Sequence, residues 1–147
     1  MWKSFRHKLQ TASQLSPGDW LDLVKAWWVL LGFYLALRCM PFNRLEAFTR
    51  LAKEKSVVPL DALTWAWRRQ ELVSMAARLH FIPMTCLPRS LALRWMASRH
   101  GIPAQLRIGM NKSSNRLFAH AWVELQGEMI GEPEDIAERF MVLHDSL

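Results

Sequence analysis

Hydrophobic positions recur at helical spacing through the first 82 residues and change to strict alternation after Gly101. A period near 3.6 marks helices packed by one face, and a period of two marks strands. Ser16 as cap, Pro17 in the first turn and Asp19 three residues after the cap predict a helix start, and that helix runs to about Arg38 before Pro41 stops it. Its stretch from Ala26 to Leu37, AWWVLLGFYLAL, is apolar on all sides and bracketed by Lys25 and Arg38. Such a run is well short of the roughly 20 residues needed to cross a bilayer, so it predicts a buried core helix. Ahead of it, Trp2, Phe5, Leu9 and Ala12 outline a short basic amphipathic helix, whose ordinary meaning is packing on the domain and whose alternative is contact with a membrane or partner. A further helix is expected from about Asn43 to Lys55, and another begins after Pro59 with Asp61 as cap and ends before Pro83.

Thr85 is placed to cap a fifth helix with Cys86 in its first turn, Pro88 at an early position that needs no donor, and Gly101 and Pro103 beyond its end. Then Ala104, Leu106, Ile108 and Met110 alternate with Gln105, Arg107 and Gly109. Leu117, Ala119, Ala121, Val123 and Leu125 alternate with Phe118, His120, Trp122 and Glu124. These are two strands joined by the polar Asn111 to Asn115, and Gln126-Gly127 turns the chain into a third strand around Met129 to Glu132. The expected class is α+β: one compact unit over 1–147, with a helical subdomain at 1–82 and a catalytic core with a small antiparallel sheet at 83–147.

Composition narrows this picture only a little. At 147 residues and 51% hydrophobic content, the chain buries one core and is too short for two ordinary domains. The abundance of Trp, much of it in the helical half, is read as core packing. A net charge of +6 favours acidic partners without choosing among nucleic acid, anionic lipid and acidic peptide. The two cysteines form no disulfide framework and no cleavable signal pattern is seen, so a reducing cytoplasm is the expected compartment. Cys39, Cys86, His80 and His120 lack paired-ligand spacing, which argues against zinc, and no cofactor is called for.

The chemistry concentrates on Cys86 and His120. A helix start offers unpaired N–H groups and the positive end of the dipole to a thiolate, and Arg89 would act in the same direction. Cys39, at the end of an apolar helix, reads as a small buried hydrophobe. His120 shares its strand face with Phe118 and Trp122, opposite the aliphatic face. A three-residue loop at Leu125, Gln126 and Gly127 would set Glu132 across from His120 on that face, whereas a two-residue turn at Gln126-Gly127 would turn Glu132 to the other face. Asp135 is the reserve for the acid.

The motifs CLPRSLAL from Cys86, GIPA from Gly101, AHAWVE from Ala119 and then Gly127, with LRCMPF from Leu37 in looser support, resemble the transglutaminase-like peptidase of lasso-peptide biosynthesis, the peptidase half of the B protein. The resemblance implies a papain-like Cys-His-acid triad in which Cys86 and His120 match directly and Glu132 stands where the family usually has Asp. It implies removal of the leader from a ribosomally made precursor peptide, recognition of that leader by a winged-helix domain that is fused or separate, and ring closure by an ATP-dependent cyclase. Because the first half shows no strands, a separate recognition partner is expected, with the Trp-rich helices facing it or the cyclase. The rivals are an acyltransferase or transglutaminase with the same triad, and a non-catalytic basic helical adaptor on membrane or nucleic acid. Nucleic acid is not expected as a partner of the peptidase, and membrane contact is not favoured.

Overall fold

The computed structural model describes residues 16–50, 59–113, 116–133 and 135–145. The basic segment around Trp2 to Ala12 and the second half of the helix expected to reach Lys55 lie outside them. Helix α1 spans Pro17–Cys39 and opens with a capping box: the Ser16 hydroxyl accepts from the Asp19 N–H, and the Asp19 carboxylate accepts from the Ser16 N–H. Two helices follow, α2 at Phe42–Thr49 and α3 at Ala62–Leu79, and then α4 at Cys86–Arg99. Asp61 and Thr85 sit at the expected N-cap positions, but neither side chain bonds to its helix. Gly101, at φ 72°, takes the left-handed turn that ends α4.

The sheet is antiparallel throughout, in the order β3-β2-β1-β4, with β1 at Gln105–Ser113, β2 at Arg116–Leu125, β3 at Glu128–Ile130 and β4 at Met141–Asp145. β1 extends through Ser113 into the polar stretch expected to be only a connection. The fourth strand and the short α5 at Ile136–Arg139 have no counterpart in the sequence pattern, because Phe140-Met141-Val142-Leu143 is an apolar run without alternation. Helices packed with a small antiparallel sheet make the fold α+β.

Helix α4 is the centre of the molecule. Leu91, Ala92, Leu93, Met96 and Ala97 are each 3% exposed or less, because this helix is covered by the other helices on one side and by the sheet on the other. Toward the helices it meets Leu23, Ala26, Leu30 and Phe33 of α1 and Leu72, Val73 and Ala76 of α3; toward the sheet it meets Val123, Leu125 and Ile130. Each such fully buried leucine side chain contributes roughly 1.5–3 kcal/mol. An ion pair also ties α2 to α4: Glu46 lies 3.3 Å from Arg94 and 2.7 Å from Arg50, with Glu46 and Arg94 both 5% exposed. Burial pulls the Arg94 guanidinium below its ordinary value, and Glu46 works against that pull.

Two expectations about the helical half need correction. Helix α1 is 23 residues long and, by length and composition alone, apolar enough to cross a membrane; it buries one stripe, while Trp20, Leu21, Val24, Trp28 and Leu35 are more than half exposed. Uniform hydrophobicity thus hid the fact that only one face has a neighbour. Most of the described tryptophans do pack as core: Trp122 is fully buried and Trp27, Trp65 and Trp95 lie against the hydrophobic cluster, while Trp20, Trp28 and Trp67 are exposed. Cys39 is exposed as well, because α1 ends beyond the edge of the core.

Candidate functional site

Cys86 is the first residue of α4, and the thiol opens into a cavity of about 30 Å³ that it lines together with His120, Glu132, Gln70, Arg89 and Trp122. That is room for a water molecule. The cavity forms where β3 gives out. β3 pairs only with Val123 to Leu125, so among the described residues no strand pairs with β2 on that side at Ala121 and His120. Ser90, one turn into α4, donates its hydroxyl to the Ala121 carbonyl at 2.9 Å. This bond pins the start of α4 beside His120.

The acid reaches His120 by a route that alternation does not predict. The hairpin closes with two residues: Leu125 pairs with Glu128, and Gln126 and Gly127 both have positive φ, at 53° and 82°. Continued as a regular ladder, that register would turn Glu132 away from His120. The ladder does not continue. Gly131, at φ 79°, swings the chain out of the strand, and the Glu132 N–H returns to the Met129 carbonyl at 3.5 Å. The Glu132 carboxylate thereby comes to 3.1 Å from His120 Nε2. The two atoms are in close contact without meeting the geometry of an aligned hydrogen bond. Asp135, the reserve acid, faces Arg139 at 3.9 Å and is exposed.

Gly131 is required twice over. Its φ belongs to the left-handed region, and a Cβ there would meet the Gln70 carboxamide at 2.5 Å. Gln70 comes from α3, so the helical half supplies a wall of the site. No sequence signal marked it, since it sits in a polar run of an ordinary amphipathic helix. Arg89 also joins the halves, donating to the Ser74 hydroxyl of α3 at 2.8 Å.

The imidazole is held by aromatic rings. Trp122 stacks nearly parallel to it at 6.1 Å between centroids, and Phe140 lies 5.5 Å away. Gly109, the β1 partner of His120, makes room: a Cβ there would lie 2.8 Å from Phe140 and 3.0 Å from the Trp122 ring. Trp122 was legible from its place two residues after His120. Phe140 was not, because it arrives with the unforeseen fourth strand. The Trp122 indole N–H is buried and has no acceptor among the described residues. Among the described residues, no cluster of His, Cys, Asp and Glu forms a metal site.

A thiol at the first turn of a helix, set against an imidazole and a carboxylate carried by a strand and the turn after it, is the arrangement of a cysteine-dependent acyl-transfer site. The chain matches the family described as the transglutaminase-like superfamily over residues 27–145, and it belongs to that superfamily. Its members are in general cysteine peptidases and transglutaminases. The match begins inside α1 and ends at the last residue of β4, so helices and sheet are both part of the family's fold. Comparison with curated proteins and with solved structures finds no match.

Proposed function

We propose that the chain is a cytoplasmic cysteine peptidase that removes the leader from a lasso-peptide precursor, with Cys86 as nucleophile, His120 as general base and acid, and Glu132 orienting the imidazole. The observation that carries the reading is the convergence of these three residues, from a helix start, a strand and a turn, on one cavity. The leader-peptide assignment rests on the CLPRSLAL, GIPA and AHAWVE motifs.

With Glu132 at Nε2, the ring's Nδ1 is the nitrogen left to take the thiol proton. The thiolate attacks the carbonyl at the leader–core junction, and a tetrahedral oxyanion forms. As it collapses, the C–N bond breaks, His120 returns the proton to the leaving amine of the core peptide, and the leader stays on Cys86 as a thioester. Water, deprotonated by His120, then hydrolyses that thioester and frees leader and thiol. The N–H of Cys86 is available to the oxyanion and Pro88 has none to give. The Gln70 carboxamide and the unpartnered Trp122 indole are further donors lining the cavity.

Leader recognition is assigned to a separate winged-helix partner, since among the described residues no strand precedes Gln105. The ATP-dependent cyclase is the second expected partner. The test is to incubate the chain with a lasso precursor peptide and the leader-recognition protein, and to weigh the products. Free leader with an intact core peptide is expected, and Cys86→Ala abolishes it. An amine-linked leader adduct would replace hydrolysis with acyl transfer, and full processing by Cys86→Ala would overturn the assignment.

A further inference from the structure

Away from the Cys86 cavity, with which it shares no lining residue, α1, α2 and α4 border an apolar groove of about 400 Å³, lined by Val29, Gly32, Phe33 and Met40 of the first helix side, Phe48 of α2 and Trp95 of α4. The apolar surface does not stop at the groove. Leu21, Trp28, Gly32 and Leu35 are exposed at successive spacings of seven, four and three residues, the spacing of a helix–helix seam along α1. The helix is about 34 Å long at 1.5 Å per residue, so the strip is far longer than one small apolar ligand.

Gly32 makes the strip unusual. A glycine in mid-helix weakens the helix relative to alanine, and proteins keep one there where another group must come close. Among the described residues nothing does: a Cβ on Gly32 would meet no atom within 4 Å. The close approach that the glycine permits is therefore to something outside the described chain.

The charges say what kind of thing. Every carboxylate on α1 and α2 is taken up by an arginine: Asp19 by Arg68, Asp22 by Arg69, and Glu46 by Arg50 and Arg94. The cations at the groove have no carboxylate partner among the described residues. Lys25 and Arg99 lie over the Trp95 ring at 6.0 and 5.5 Å, and Arg44 is exposed one turn before Phe48. Among the described residues the rim is thus basic around an apolar floor. A concave groove continued by a seam fits a cylinder better than a flat bilayer.

We infer that this face docks an amphipathic helix of another protein, its apolar stripe laid along α1 over Gly32 and its flanks acidic against Lys25, Arg44 and Arg99. This is recognition by helix in groove, with the rim charges selecting the partner. It stands independently of the peptidase reading.

The test uses the full chain and a fluorescently labelled peptide of about 21 residues, three heptads with leucine on the seam and glutamate on the flanks. Its anisotropy and helicity are expected to rise on titration with the chain. Gly32→Leu, which fills the groove where space is open, and the double change Lys25→Glu with Arg44→Glu are each expected to weaken binding about tenfold or more. Gly32→Ala is expected to weaken binding while raising the melting temperature, which separates lost docking from lost folding. Four results would overturn the inference: equal affinity for a peptide with lysine flanks, binding unchanged by Gly32→Leu, capture of the chain by anionic phospholipid vesicles in place of the peptide, or dimerisation of the chain through the same residues.

Discussion

Gly109 and Gly32 sit in two halves of the molecule that treat empty space in opposite ways. Around His120 the space that glycine leaves is already used: Trp122 and Phe140 fill the place of a Gly109 side chain, and Gln70 fills that of Gly131. On the outer face of α1 the space beside Gly32 is open. The side that carries the candidate site is packed so that an imidazole, a carboxylate and a thiol share one small cavity, which is what acyl transfer needs from a scaffold. The helical side spends its packing on one stripe and leaves the rest as surface.

The sharpest way to break this contrast is at the nucleophile. Cys86→Ala is expected to cut leader removal by about 10⁴-fold or more with the circular-dichroism spectrum unchanged, because the thiol supplies chemistry and little packing. Removing the buried tie between the halves should act the other way, on stability first. Glu46→Ala strands Arg94 without its buried partner and is expected to destabilise the chain by about 3–5 kcal/mol in denaturant unfolding. Glu132→Ala leaves nucleophile and base in place but frees the imidazole to turn, and a loss of about 10²-fold in kcat is expected. Restoration by Glu132→Asp would be partial, since the shorter side chain retreats from Nε2.

The two glycines carry the comparison itself. Gly109→Ala pushes Phe140 and Trp122 off the sheet, at a cost of about 1–3 kcal/mol and with a lower kcat from a displaced His120. Gly32→Ala is expected to stabilise the chain by about 0.5–1 kcal/mol with no effect on kcat. Melting curves and turnover of the two variants side by side decide this; effects of the same sign at both sites would erase the distinction. Smallest is the effect of acid on α1. The Arg68 guanidinium beside Asp19, with the Ser16 N–H, holds that carboxyl down to about 2, below the ordinary 3.8. The folded value lies below the unfolded one, so the contribution is present above pH 3.8 and is lost as pH falls toward about 2. Asp19→Asn should flatten that part of the acid melting profile.

Much of this was legible in the residues. The helix starts at Ser16 and Thr85, the switch to alternation after Gly101, and Cys86 and His120 as the candidate pair that the fold brings to one cavity can all be read without coordinates, because caps, periods and motifs are local. Glu132 could be named but not placed. Alternation assumes a strand that continues, and the left-handed Gly131 ends β3 before that rule applies. Gln70 and Phe140 were invisible because they reach the site only through tertiary packing, and the exposed face of α1 was hidden by its own uniform hydrophobicity. A helix apolar on all sides does not announce which side has a neighbour.

The claim at the centre is that His120 activates Cys86, and the chain carries its own control in Cys39, which is exposed where Cys86 is half-buried. The measurement is the rate of iodoacetamide alkylation at each cysteine, resolved by peptide mass spectrometry, in the native chain and in His120→Ala. The account predicts that Cys86 reacts faster than the more accessible Cys39 and falls to its rate or below when His120 is removed. Cys86 reacting no faster than Cys39, and indifferent to the loss of His120, would contradict it.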